Sequence, residues 1–145
     1  MLDVADLIPE LGRWNNGKGV SPDAWFFIEG RADHALAFCT SVWPEFVEFE
    51  SYVLRGPLDL ERLRGWEHNG DLSRQQIETA MNAYLLDGMF PQDEAIVALK
   101  TAQCERLASI MADMLGAKLA RDFPQRRFST FVLGGNDFGI SFHQL

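Results

Sequence analysis

The sequence lacks most of the features that mark a catalytic or metal-binding protein. Its two cysteines, Cys39 and Cys104, are 65 positions apart, so they form neither a disulfide framework nor a C-x-x-C ligand pair. The three histidines are widely separated, and none belongs to an H-E-x-x-H motif. No G-x-S-x-G nucleophile elbow is present. We therefore predict no metal ligand, no cofactor and no catalytic residue, and we favour a protein that is not an enzyme.

Positive charge is also scarce. The chain has 13 Lys and Arg residues against 21 Asp and Glu residues, which gives a net charge of −8. The only adjacent basic pair is Arg126-Arg127. Nucleic-acid binding needs clustered basic side chains to contact phosphates. A nucleic-acid partner is therefore not expected.

Long apolar runs are missing as well. No window approaches 18 consecutive apolar residues, and the amino terminus shows no basic segment followed by an apolar run. We therefore expect no membrane span and no secretory signal, and a cytoplasmic location is the simplest expectation.

The residues that are present suit one compact domain. The chain has 145 residues, of which 47% are hydrophobic, and a chain of this size buries roughly two-thirds of its unfolded surface. We predict a single domain over residues 1–145. Its charge is uneven, because residues 1–50 carry nine acids against three bases and residues 51–145 carry twelve against ten. An acidic surface is thus expected mainly from the first third of the chain.

Capping residues and apolar spacing predict an α+β fold with five or six helices. Ser21 and Pro22 have the character of a helix start, and Ser73 and Gln76 have capping-box spacing. The predicted helices cover parts of 3–12, 21–29, 33–43, 58–66 and 73–87, followed by a long helix at about 93–121.

The segment 46–54 alternates apolar and acidic residues, which is typical of a strand with one buried face. We expect Val47, Phe49 and Val53 to be buried and the glutamates to face water. Residues 127–144 alternate on both sides of a glycine-rich turn, which predicts a hairpin. A two-stranded ribbon is marginal alone, so this hairpin is expected to join strand 46–54 in one small antiparallel sheet.

The solvent-exposed face of this predicted strand is the first candidate binding surface. Aromatic anchors in an acidic field suit a basic protein partner. Paired glutamates could also perform acid–base chemistry, although alternating glutamates are ordinary on a solvated strand face. The predicted surface consists of Trp43, Glu45, Glu48, Glu50 and Tyr52.

A second candidate site is a ligand cleft at Trp14, Asn15, Asn16 and Lys18, where Lys18 would hold an anion and the asparagines would orient it. The segment has the G-x-x-x-x-G-K spacing of a phosphate-binding loop, but Gly19 replaces the hydroxyl residue that binds magnesium. An anion-binding enzyme or ligand-binding protein is the alternative hypothesis.

Two stretches, W-N-N-G-K-G at 14–19 and W-P-E-F-V-E at 43–48, resemble a family of small uncharacterised bacterial proteins. The resemblance implies a bacterial cytosolic single domain and no particular activity. Size and acidity are also similar to those of immunity proteins that neutralise bacterial toxins.

The leading hypothesis is thus a non-enzymatic binding protein, in its specific form an immunity-type inhibitor of a basic toxin. A homodimer that pairs exposed sheet edges is a third hypothesis.

Overall fold

The computed structural model describes residues 3–86, 88–90 and 97–145. Within them the chain forms seven α-helices and five strands, which confirms the α+β class. The helices are α1 (Val4–Leu7), α2 (Glu10–Arg13), α3 (Pro22–Glu29), α4 (Ala32–Val42), α5 (Leu60–Glu67), α6 (Arg74–Met81) and α7 (Val97–Asp122). The strands are β1 (Phe46–Phe49), β2 (Tyr52–Arg55), β3 (Tyr84–Leu85), β4 (Phe128–Leu133) and β5 (Gly139–Gln144). Residues 93–96 of the predicted long helix lie outside the described residues.

Two of the predicted helix starts follow the capping rules. Ser21 accepts a hydrogen bond from the Ala24 N–H at 3.2 Å, and α3 ends at Gly30 as expected. At α6, Ser73 and Gln76 form the predicted capping box. The end of α6 differs, because the helix stops at Met81 instead of continuing to 87. Asn82 turns its side chain to neighbouring backbone groups, and the chain then forms β3, which pairs with β5.

The segment 46–54 was wrongly predicted to be one strand. It is a hairpin in which β1 pairs with β2, with Phe49 opposite Tyr52. The chain reverses at Glu50, whose φ of 52° lies in the left-handed region. Glycine or asparagine usually marks such a position, and neither is present here. The alternation of apolar and polar residues therefore conceals the turn.

The expected single sheet is in fact two. The hairpin β1–β2 stands apart from a three-stranded antiparallel sheet in the order β3-β5-β4. Glu78 of α6 and Asn82, which caps the carboxyl end of α6, form hydrogen bonds to both β2 and β5. Asn82 accepts from the Arg55 N–H and donates to the carbonyl oxygens of Val53 and Phe142. Side-chain groups thus satisfy backbone groups on strand edges that a further strand would otherwise bind.

Glu78, fully buried one turn before Asn82, completes this bridge. Its carboxylate accepts from the Val53 N–H at 2.9 Å, from the Gln144 N–H at 2.7 Å and from the Gln144 side-chain amide at 2.5 Å. A buried carboxylate is tolerated when its oxygens accept hydrogen bonds in this way. Glu78 therefore holds the hairpin, α6 and β5 together.

Two buried clusters form the core, and β2 contributes to both. Val53 packs with apolar residues of α7 and β5, whereas Tyr52 and Leu54 pack with α5 and α6. Because both faces of β2 are covered, all three residues are buried. The prediction of one wet face therefore fails for Tyr52, while Val47 and Phe49 on β1 are half-buried.

Candidate functional site

The predicted surface around the hairpin is only partly assembled. Trp43, at the end of α4, is 37% exposed, and Glu45 and Glu48 are exposed. Glu50 is also exposed, but it lies in the hairpin turn and not on the same strand as Glu48. The three glutamates therefore do not follow one strand face.

Arginines neutralise two of these glutamates. Glu48 pairs with Arg126, which follows α7, at 2.5 Å, and Glu50 pairs with Arg64 of α5 at 2.6 Å. The Lys118 ammonium lies over the Trp43 ring, 5.8 Å from its centroid. The hairpin surface thus lacks the strong negative field that its sequence predicts.

Tyr52 does not belong to an exposed surface. Its side chain is 8% exposed, and its hydroxyl donates to Glu67 Oε1 at 3.0 Å. Burial raises the pKa of Tyr52, and the Glu67 carboxylate raises it further. The phenol is therefore a structural hydrogen-bond donor between the hairpin and α5.

Arg64 is the centre of a charged network at this end of the molecule. It pairs with Glu67 at 2.6 Å as well as with Glu50. Its hydrogen bonds lower the pKa of both carboxyls, and the two carboxylates raise the pKa of Arg64. Carboxylates held ionised in this way are poor proton donors at neutral pH. The network therefore attaches α5 to the hairpin and does not resemble an acid–base site.

The alternative cleft at residues 14–18 is a turn after α2. Asn15, Asn16 and Lys18 are exposed and Trp14 is half-buried, and both asparagines have φ of 55°. The N–H groups of residues 17–19 donate to the carbonyls of Trp14 and Asn15. A phosphate loop needs such N–H groups free to face the anion. The prediction of an anion site here has no support from this backbone.

Among the described residues, the most exposed large apolar side chains include those of α3 and α4, which sequence reasoning missed. Phe27 is 89% exposed, and no residue of α3 is buried. Single exposed apolar residues are normal, whereas a cluster marks an interaction site. We refer to the exposed apolar side chains of these two consecutive helices together as the α3–α4 face; its members are Phe26, Phe27, Ile28, Leu36 and Phe38.

The sequence does contain a signal for this face. Residues 25–28 are Trp-Phe-Phe-Ile in a helix of eight residues. Successive helical residues are rotated by about 100°, so four consecutive apolar residues surround the helix. A helix on the outside of a domain can bury only one side. Some of these side chains must therefore face water or a partner.

The carboxyl end of α4 is fixed to the body of the domain. The Arg55 guanidinium donates to the Ser41 carbonyl with both terminal nitrogens at 2.9 Å, and the Tyr84 hydroxyl donates to Ser41 Oγ at 2.8 Å. Burial lowers the pKa of Arg55. Val42 is buried in the core, while Leu36 is 68% exposed. The helix is thus held by its last turn and presents its middle to solvent.

An open groove of about 450 Å³ lies beside the α3–α4 face. The indole Nε1 of Trp25 is inaccessible to solvent and has no acceptor among the described residues. What the groove offers a ligand is therefore an apolar wall with the Asp23 carboxylate beside it. Its lining is Ile8, Pro22, Asp23, Trp25, Phe26 and Phe27.

Two classes of site are not found in the described part of the chain. It holds no group of three His, Cys, Asp or Glu side chains that could bind a metal ion. None of its helices combines the length and apolarity needed to cross a membrane.

Comparison with known proteins found no relative of this chain. No protein-family model, curated protein or solved structure matches this chain.

Proposed function

We propose that this protein is a non-enzymatic binding protein that holds a protein partner on the α3–α4 face. The observation that supports the proposal is the concentration of large exposed apolar side chains on two consecutive helices. Burying one side chain of this size contributes about 2 kcal/mol. Several of them in one contact would provide the apolar centre that stable interfaces share.

The acidity of the chain supports a basic partner. The net charge is −8, and residues 1–50, which include α3 and α4, hold nine of the 21 acids. Opposite charge accelerates encounter and excludes partners with the wrong sign. An immunity-type inhibitor that neutralises a basic toxin in the bacterial cytosol is the specific form of this proposal.

The test is capture from an extract of the native cell on three immobilised proteins: wild type, Phe27→Asp and Leu60→Asp. Leu60 lies on α5 and is 45% exposed, so it is a matched control. We expect wild type and Leu60→Asp to retain the same protein and Phe27→Asp to lose it. Equal retention by all three would show that the α3–α4 face is not the docking site.

A further inference from the structure

The charged groups around the α3–α4 face indicate what kind of partner it fits. Asp23, in the first turn of α3, lines the groove, and Glu29 ends the same helix. Both side chains are exposed, and neither forms an ion pair with a described residue. Arg31, the base nearest to Glu29 in sequence, already pairs with Asp33 at 2.6 Å, and Lys18, the base nearest to Asp23, can offset only one of the two carboxylates. The net charge left at this face is therefore negative.

Glu29 is also placed unfavourably in its own helix. It occupies the last turn of α3, which contains no basic residue. The carboxyl end of a helix carries partial negative charge, so an acid there is destabilising. A cation supplied by a partner would relieve this repulsion and would bind Glu29 more strongly than an isolated carboxylate.

The groove adds a specific requirement to this charge. An apolar side chain can fill the space beside Trp25 and Phe26. Asp23 lines the same groove, so its carboxylate can bind a cationic side chain next to that apolar one. A peptide segment with both apolar and basic residues satisfies the two conditions.

We propose that the partner contributes a basic amphipathic segment, whose apolar side chains lie on the α3–α4 face and whose Lys or Arg side chains contact Asp23 and Glu29. This inference rests on the proposed function and adds the chemistry of the partner. A second copy of this chain would bring the same two acids from both molecules into one contact. An anionic lipid surface would meet the same repulsion.

Calorimetric titration of the full chain with two synthetic amphipathic peptides tests the inference. Both peptides have about 18 residues and the same leucine positions, with lysine at every polar position of one and glutamate at those of the other. We expect the leucine–lysine peptide to bind about tenfold or more tightly than the leucine–glutamate peptide. Its binding should weaken about tenfold between about 50 mM and about 500 mM salt.

Variants locate the binding site. Phe27→Asp should abolish binding of the leucine–lysine peptide, and Asp23→Asn and Glu29→Gln should each weaken it about threefold. Glu61→Gln on α5 removes an exposed acid from a helix outside the face, so it should have no effect. Phe27 is almost fully exposed, and unchanged thermal unfolding would show that its variant is folded.

Several results would overturn the inference. They are equal affinity for the two peptides, binding of neither peptide, or binding of the leucine–lysine peptide that is unchanged in Phe27→Asp.

A dimer that is seen by sedimentation and dissociates in Phe27→Asp would assign the face to a second copy of this chain. Binding to lipid vesicles that is lost in Phe27→Asp would assign the face to a lipid surface. If extract capture depends on Phe27 but the peptides show no charge preference, the inference fails and the proposed function stands. If capture ignores Phe27, the proposed function itself fails.

Discussion

Glu50 has two structural roles, one for its backbone and one for its side chain, and the sequence indicates neither. Its backbone adopts φ of 52° so that the hairpin can reverse, and its carboxylate pairs with Arg64. A residue with a Cβ is strained in this region, whereas glycine is not. The side chain is therefore kept at some cost in backbone strain.

We expect Glu50→Gly to melt about 4 °C above Glu50→Ala, because both lose the ion pair but only glycine relieves the strain. Thermal unfolding followed by circular dichroism measures the difference. Equal melting temperatures would show that the turn is not strained.

Glu78 is a polar residue whose loss should be strongly destabilising. Replacing it with alanine leaves the Val53 N–H and both Gln144 donors without an acceptor in the interior. We expect Glu78→Ala to lower the free energy of unfolding by about 3 kcal/mol. Urea denaturation measures this loss, with Glu61→Ala, which removes an exposed carboxylate of α5, as the control. A loss no larger than that of the control would refute the role of Glu78 as a bridge.

The pairing of β3 with β5 depends on glycine at position 139, where there is no side chain between the two strands. A Cβ on Gly139 would lie 2.2 Å from the Tyr84 carbonyl oxygen, so β3 could not approach. Gly139→Ala should therefore cost about 2 kcal/mol or more. Gly134, which ends the same hairpin's first strand, has open space around its Cβ position. Urea denaturation should show Gly134→Ala close to wild type, and similar losses in both variants would contradict the close approach.

The attachment of α5 to the hairpin should depend on pH. Arg64 lowers the pKa of Glu50 and Glu67 below their ordinary value of 4.5. A carboxyl whose pKa is lower in the folded state stabilises the fold fully at a pH above its ordinary pKa. This stabilisation is lost as the pH falls through the lower pKa of the folded state.

Unfolding midpoints in urea from about pH 6 to about pH 3 should therefore fall more steeply for wild type than for Arg64→Met. Arg74→Met, at the exposed start of α6, is the control and should keep the wild-type slope. The same slope in Arg64→Met and wild type would contradict the role of Arg64.

Local rules predict the helices well and the sheets poorly. Ser21, Ser73 and Gly30 act through neighbouring backbone groups, so their effect is visible in the sequence. The separation of the two sheets depends on Glu78 and Asn82 meeting strands distant in sequence. No local pattern reveals such contacts.

The same contrast applies to the candidate site. The prediction that Glu48 and Glu50 face water is confirmed, but Arg126 and Arg64, both distant in sequence, form ion pairs with them. The apolar run at 25–28 was present in the sequence, but its exposure depends on where the rest of the chain packs. Only the fold shows that nothing in the described residues covers Phe27.

In the whole molecule, the helices that build the core differ from the helix proposed to bind a partner. The core contains residues of α7, the two sheets, α5, α6 and the last turn of α4, whereas α3 contributes no buried residue. The exposed aromatic side chains of α3 therefore support the proposed contact with a partner.

Photo-crosslinking in the native cell tests this claim most directly. Benzoylphenylalanine placed at position 27 should give one discrete crosslinked product with a different protein, and the same group at position 60 should give none. No product at position 27, or one with twice the mass of this chain, would contradict the account.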